Sequence, residues 1–268
     1  MERDRSLKDA SSIHVTRWGN SGPAVLLVHG SAQGSARGGD RHFSGQECLA
    51  ERGWQFVVPD RPGHGRSPAP GRPDDAEADG EWVAELLGDG AHLVGHSFGG
   101  CVALAAAARR PSAVRSLTLI EPAMQKLAVS APEVRRFVLR LVATILFSFS
   151  GATRTKRFSK LVRIPPEVSG GLGPEELTRM GQALAKMRIP SKDTLERELA
   201  IVKRERIPLL VVTGGWSPAF EATADQVAAL GGGRRRLIPT PHHFPQLVSD
   251  EFNDLLVSFM TESDALKR

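Results

Sequence analysis

Tyrosine is absent from the 268 residues, so no step can use a phenol as acid, base or radical, which excludes the Tyr/Lys proton relay of short-chain dehydrogenases. Cysteine occurs only at Cys48 and Cys101. Two thiols support neither a disulfide framework nor a four-cysteine zinc site, and a reduced pair in a reducing compartment is expected. Long apolar runs are missing: the longest weakly polar stretch, Leu141 to Phe149, falls well short of the roughly 20 residues of a membrane-spanning helix. The start, Met1-Glu2-Arg3-Asp4-Arg5, carries both signs of charge with no apolar core behind it, unlike a secretory signal, so cytoplasmic residence is the default expectation. Nor does one sign of charge dominate, since Lys+Arg 35 against Asp+Glu 30 leaves +5. The basic residues are scattered, and Arg234-Arg235-Arg236 sits just before a predicted strand without interleaved aromatics. A solvated basic face is expected there, and no nucleic-acid partner.

What is present is ordinary globular composition, 41% hydrophobic and 24% charged, in a chain long enough for one large domain or one domain with an insertion. Short apolar runs rich in β-branched residues alternate with helical patterns, the sign of a parallel sheet covered on both faces. The predicted strands are Ser12 to Thr16 at an edge, Ala24 to Val28, Gln55 to Val58, His92 to Val94, Leu117 to Ile120, Leu209 to Val212 and Arg236 to Ile238. Ser44-Gly45-Gln46-Glu47 has the capping-box pattern with Gly53 placed to end its helix. Phe98 to Arg110 is Ala-rich and stopped by Pro111. Phe252, Leu255, Leu256 and Phe259 make a helical stripe behind a Ser249 cap.

The alternation breaks between Glu121 and Ile207, where helical patterns occur without a strand. Leu177, Met180, Leu184 and Met187 form one amphipathic stripe; Leu195, Leu199 and Val202 form another behind a Ser191 cap. Val134 to Phe149 is apolar nearly all round past Arg140, so it must be covered by protein, ligand or a membrane surface, either as a buried helix or as a lid lining an apolar pocket.

Gly95-His96-Ser97-Phe98-Gly99 follows the strand His92 to Val94 and opens the Ala-rich helix. A tight turn there strains Ser97 and lifts its hydroxyl above the sheet edge. Small neighbours let backbone pass close, and the helix start offers free N–H groups. An oxyanion forming beside Ser97 would meet the backbone N–H of Phe98. A second donor is expected after His29-Gly30, at the backbone amide of Ser31 or else of Ala32. His29 itself reads as a structural residue buried at a strand end.

These pieces, with the loop Asp60-Arg61-Pro62-Gly63-His64-Gly65-Arg66-Ser67 and His243-Phe244-Pro245, resemble the α/β-hydrolase superfamily over nearly the whole chain. The resemblance implies a mostly parallel, doubly wound sheet with an inserted all-helical cap: a core from 1–122 and 206–268, and a cap from 123–205. It makes Asp60 and His64 structural and, of the competing His242 and His243, places His243 on the catalytic base. His242 falls on the usual glycine and is left for the pocket mouth. Many relatives carry the triad acid in a stretch resembling Gly-x-x-Asp-Pro, but here Gly214-Gly215-Trp216-Ser217-Pro218 puts Ser217 on that position. An uncharged hydroxyl does not hold an imidazolium as a carboxylate does, and Ser217 before Pro218 reads as a helix cap. Glu121, directly after the strand Leu117 to Ile120, takes the place the acid has in haloalkane dehalogenases. Glu221, Asp225 or a two-member Ser/His site are the alternatives. Those dehalogenases and the epoxide hydrolases are themselves excluded, since they use an Asp nucleophile.

The expected chemistry is acyl transfer to water: Ser97 as nucleophile, His243 as base, Glu121 holding the imidazole, Ser31 and Phe98 amides on the oxyanion. No metal or organic cofactor is called for. The expected substrate is a small, largely apolar ester, lactone or thioester. Carbon–carbon bond hydrolysis, cofactor-free oxygenation or perhydrolysis, and a ligand-binding protein with little turnover are the rivals on the same fold. Arg37, Arg41 and Arg61 are candidates to meet an anionic substrate group, against the plainer reading as surface arginines. Oligomeric state is not assigned.

Overall fold

The computed structural model describes residues 12–30, 32–248 and 250–266. Among the described residues seven strands, β1 (Val15–Trp18), β2 (Ala24–Val28), β3 (Gln55–Pro59), β4 (Ala91–His96), β5 (Val114–Ile120), β6 (Leu209–Thr213) and β7 (Arg234–Leu237), form one sheet in the order β1-β3-β2-β4-β5-β6-β7. Only β1 runs antiparallel to its neighbour. Alternate residues of β2 to β6 feed opposite cores, as the period of two demands. Leu26, Leu93, Leu117, Leu119 and Val211 pack on one face, under α1 (Ala76–Leu86), α2 (Phe98–Arg109), α6 (Lys192–Arg204) and α7 (Pro218–Gly231). Val25, Leu27, Val94, Ile120 and Val212 pack on the other, with Phe43, Leu49 and the apolar face of α8 (Asp250–Ala265).

Between β5 and β6 lie α3 (Pro132–Leu146), α4 (Gly151–Leu161) and α5 (Pro174–Leu184), followed by α6. Glycines let α4 and α5 cross closely, a Cβ on Gly181 falling 1.9 Å from the Gly151 carbonyl oxygen, and Thr155 Oγ1 donates to the Leu177 carbonyl at 2.7 Å. The Ser191 hydroxyl accepts from Thr194 N–H at 3.0 Å as the cap of α6, whose Leu195, Leu199 and Val202 enter the sheet core. The loop after β2 ties core to insertion, Ala36 N–H donating to Glu176 Oε1 at 2.6 Å and Arg37 Nη2 to the Gly170 carbonyl.

Several local expectations are corrected. Arg234-Arg235-Arg236 is itself the last strand, because Arg235 Nη2 and Nε pair with Glu221 and Asp225 at 2.6 and 2.8 Å and hold it against α7. The edge strand is shifted to Val15–Trp18, opposite Pro59 to Phe56. Ser44 opens a 3-10 helix whose side chain makes no cap bond, the first turn closing on the Phe43 carbonyl, although Gly53 does end it in the left-handed region at φ 83°. Met187 lies past the end of α5. Val134 to Phe149 is not fully covered: Val134 is buried and Phe137 nearly so, while Leu139, Leu146 and Phe149 face solvent. Ser249 lies outside the described residues. Cys48 is exposed and Cys101 buried, neither in a disulfide.

Candidate active site

Register sets the geometry. His96 at the end of β4 is paired with Ile120 at the end of β5, and Ile120 with Val212 on β6. Ser97 and Glu121, the next residues on two adjacent strands, therefore leave the sheet side by side at its carboxyl edge. Parallel α/β sheets bind ligands there. Both adopt a positive φ, 55° at Ser97 and 45° at Glu121, a conformation that costs side-chain-bearing residues energy and concentrates at functional sites. Backbone bonds hold each in place, Ser97 N–H to the Ile120 carbonyl at 2.9 Å and Glu121 N–H to the Val212 carbonyl at 2.8 Å. The glycines of the motif are required by contact: a Cβ on Gly99 would stand 2.2 Å from the Val28 carbonyl oxygen, and one on Gly30 would stand 2.8 Å from Ser97 Cβ.

His243 arrives from the loop after β7. Its Nδ1 donates to Glu121 Oε2 at 3.2 Å, and Glu121 Oε1 accepts from Gly214 N–H at 2.6 Å. Both carboxylate oxygens thus have a partner although the side chain is wholly buried. His96 Nε2 donates to the His243 carbonyl at 2.8 Å and fixes that backbone. Phe220, Phe244 and Trp216 surround the His243 ring at 4.8, 5.8 and 5.8 Å between centroids. This apolar cage has an electrostatic consequence: burial, with a smaller contribution from His242, pushes His243 down to about 3. Burial likewise pushes Glu121 up to about 8, the Gly214 N–H opposing it and the nearby Glu221 adding to it. The low-dielectric site favours the neutral imidazole at rest. Among the described residues no hydrogen bond ties Ser97 Oγ to the ring, yet Ser97 and His243 line the same cavity.

That cavity is about 90 Å³ and is walled by Phe137 and Leu141 of α3, Phe158 of α4, and Met180 and Leu184 of α5, above Ser97, Phe98 and Phe244. Its few polar residues are Ser35, His42, His96, Gln125, Ser159, Ser169 and the Ser97–His243 pair. At roughly 10–15 Å³ of such space per water-sized group, it holds about six to nine of them, enough for a slender chain or small ring.

The other candidates are placed as follows. Phe98 opens α2, so its N–H has no intrahelical acceptor. Ser31, expected as the second oxyanion donor, lies outside the described residues, and Ala32 beside it is buried. His29 is structural as expected, its Nδ1 donating to the Gly30 carbonyl at 2.8 Å and its Nε2 accepting from Arg61 N–H at 2.9 Å. Asp60 collects Gly39 N–H at 2.9 Å and Arg66 N–H at 3.0 Å, and His64 Nδ1 donates to the Pro62 carbonyl at 3.1 Å. His242 does not line the cavity; its Nδ1 accepts from Phe244 N–H at 3.2 Å and holds the turn that presents His243. Glu221 and Asp225 are committed to Arg235, and Glu221 also accepts from Thr213 Oγ1 at 2.8 Å. Ser217 caps α7 through its carbonyl, which accepts from Phe220 and Glu221 N–H, while its hydroxyl makes no cap bond. Arg61 is buried between Asp74 and Asp79, 4.7 Å above the Phe98 ring, and is unavailable to a substrate. His42, His96 and the aromatic cage escape sequence reading, since they meet from segments far apart in the chain. The one signal was His96 inside the elbow itself.

A strained serine at the start of a helix, on the carboxyl edge of a parallel sheet beside a buried His–carboxylate pair, defines a hydrolase-type site. A family model described as alpha/beta hydrolase fold matches residues 23–162. The chain belongs to the α/β-hydrolase superfamily and is an enzyme of that class. Among its relatives, lipase LipV of Mycobacterium tuberculosis is 39% identical over 139 residues, 49% of this chain and 49% of that protein. The chain thus matches about half the length of that relative. A pimeloyl-[acyl-carrier protein] methyl ester esterase of Neisseria meningitidis serogroup C is 33% identical over 207 residues, 71% of this chain and 74% of the esterase. A hydrolase from Oleispira antarctica superposes with a TM-score of 0.72 at 16% identity, over 96% of this chain and 97% of that one.

Proposed function

We propose that the protein hydrolyses a small, largely apolar ester, lactone or thioester through an acyl-enzyme on Ser97. The observation that carries this reading is the buried bond from His243 Nδ1 to Glu121 Oε2 beside a serine held at φ 55°. With Nδ1–H given to the carboxylate, Nε2 is the free lone pair, the tautomer a general base needs. His243 takes the Ser97 proton as Ser97 attacks the carbonyl. The Phe98 amide, with that of Ser31, carries the oxyanion, and the positive end of α2 adds to it. His243 then returns the proton to the leaving group, activates water against the acyl-enzyme, and Glu121 stabilises the imidazolium in both halves. The serine–histidine bond is left to tighten around substrate, as catalytic bonds commonly do.

Residues 123–205 are read as the cap, of which α3, α4 and α5 wall the cavity; α6 braces it on the sheet core. The narrow apolar cavity supports an acyl group of modest length, in keeping with relatives named as lipase and methyl ester esterase. The rival reading as a ligand-binding protein rested on Ser217 in the acid's place, and Glu121 on His243 supplies that acid from the neighbouring strand. The test is intact mass after fluorophosphonate treatment. One adduct on wild type, none on Ser97→Ala and slow labelling of Glu121→Gln support the reading. An unlabelled wild type that also fails to turn over a panel of acyl esters refutes it.

A further inference from the structure

Among the described residues, one face of the cap has no partner. Leu139, Val142 and Leu146 follow at i, i+3 and i+7 along α3, and Phe147 and Phe149 prolong the stripe; they are 68, 46, 66, 70 and 98% exposed. Single exposed leucines are commonplace, but five large apolar side chains in one run of eleven residues mark a surface that meets something other than water. Its charge is equally one-sided. Between Pro132 and Arg163 stand eight Lys and Arg against a single acid, Glu133. Arg135, Arg136 and Arg140 are exposed on α3, and Lys156, Arg157 and Lys160 on α4. Arg157 Nη1 donates to the Phe147 carbonyl at 2.9 Å, which sets its guanidinium beside the stripe.

Among the described residues none of those six side chains is in an ion pair. A second copy of the chain is a poor occupant, because a two-fold contact sets like charges face to face. The stripe lines none of the cavities described, the apolar one over Ser97 included. Outward apolar side chains ringed by cations match the headgroup region of a bilayer bearing anionic lipid.

We propose that this face of the cap docks on an anionic lipid surface. Leu139, Leu146, Phe147 and Phe149 enter the boundary between headgroups and acyl chains, while the arginines and lysines meet lipid phosphates. The opposite face of the same helix carries Phe137 and Leu141 into the cavity over Ser97, so docking brings that cavity next to the lipid. The docking itself does not depend on the hydrolytic reading.

The test is flotation of the full chain with phosphatidylcholine vesicles, with and without phosphatidylglycerol. The expected result is binding to the anionic vesicles alone, falling with added salt and weakened about fivefold for each basic residue removed. Phe147→Ser/Phe149→Ser and Arg136→Glu/Arg140→Glu should each abolish flotation while circular dichroism and turnover of a soluble ester stay unchanged. No flotation, equal flotation with neutral vesicles, or flotation indifferent to both double variants overturns the proposal. So does a dimer that dissociates in either double variant while wild type ignores vesicles, which assigns the face to a second copy, and so does capture of an acidic protein in place of lipid.

Discussion

Glu121→Gln keeps the shape of the side chain and removes its charge, and the structure dictates how the amide must sit. Gly214 N–H reaches Oε1 at 2.6 Å, so the Gln carbonyl stays there; turning the amide over would set two donors against each other and leave a buried N–H unpaired, at a cost of about 1–3 kcal/mol. The Gln NH₂ then faces His243 Nδ1, where the carboxylate stood at 3.2 Å. Nδ1 must accept, the ring proton moves to Nε2, and the base has no lone pair for Ser97. A triad held in the wrong tautomer loses on the order of 10⁴ in kcat, about 5 kcal/mol of barrier. Stability moves the other way. Glu121 sits at about 8 folded against 4.5 in the open chain, so between those values the folded protein holds a proton that the unfolded one has released, and stability falls as pH rises. By pH 9 the penalty is on the order of 5 kcal/mol, and Gln escapes it. The assay is kcat on an ester together with thermal unfolding at pH 5 and pH 9. Glu121→Gln should be nearly inert at both, more stable than wild type at pH 9 and similar to it at pH 5. A variant with wild-type kcat, alongside an inert Ser97→Ala, would refute the assignment of the acid.

In wild type the same titration makes kcat/KM climb through a midpoint near 8 as Glu121 ionises, and a pH–rate profile checks it. On the acid side His243, lowered from 6.5 to about 3, takes up a proton only after the unfolded chain has done so. Stability is thus lost as pH falls from 6.5 toward 3, and His243→Gln should flatten that limb in pH-dependent denaturant titrations. Leu141→Trp should fill the cavity lined by that residue and cut kcat/KM for hexanoyl esters by about 10- to 200-fold while sparing acetyl esters, read from a chain-length series. Gly99→Ala forces a Cβ to 2.2 Å from the Val28 carbonyl oxygen and should destabilise by about 3 kcal/mol in urea unfolding. Ser217→Ala removes a hydroxyl that makes no cap bond, so calorimetry should register a change within about 0.5 kcal/mol in place of the usual loss at a cap.

The sheet was legible because each inner strand is buried on both faces and reads as an unbroken apolar run, and the elbow because only small residues fit around Ser97. The position of Glu121 directly after a strand marked it as a candidate, and the structure places its carboxylate on His243 Nδ1. What hid was everything decided by tertiary pairing. The Arg234-Arg235-Arg236 strand is polar in sequence and becomes a strand by pairing with β6 and anchoring to Glu221 and Asp225. The Ser44 box forms no side-chain cap because the segment winds as a 3-10 helix. The glycine step after β6 looks defective as an acid loop; its role is to turn Gly214 N–H onto a carboxylate from another strand. His42, from the segment after β2, meets His96, the last residue of β4, in the cavity lining, a juxtaposition that no local pattern carries.

The division of the proposed triad along the chain also sets an order of assembly. Ser97 and Glu121 are made before the helices that separate β5 from β6, whereas Gly214, whose amide steadies the carboxylate, and His243, the proposed base, come after them. Chains are synthesised from the amino terminus and long-range pairing is slow to form. On the proposed mechanism a nascent chain therefore carries Ser97 early but unactivated, as an ordinary alcohol. Chemical competence arrives only when β6 has zipped onto β5 and the loop after β7 has closed over it, so catalysis reports completion of the fold.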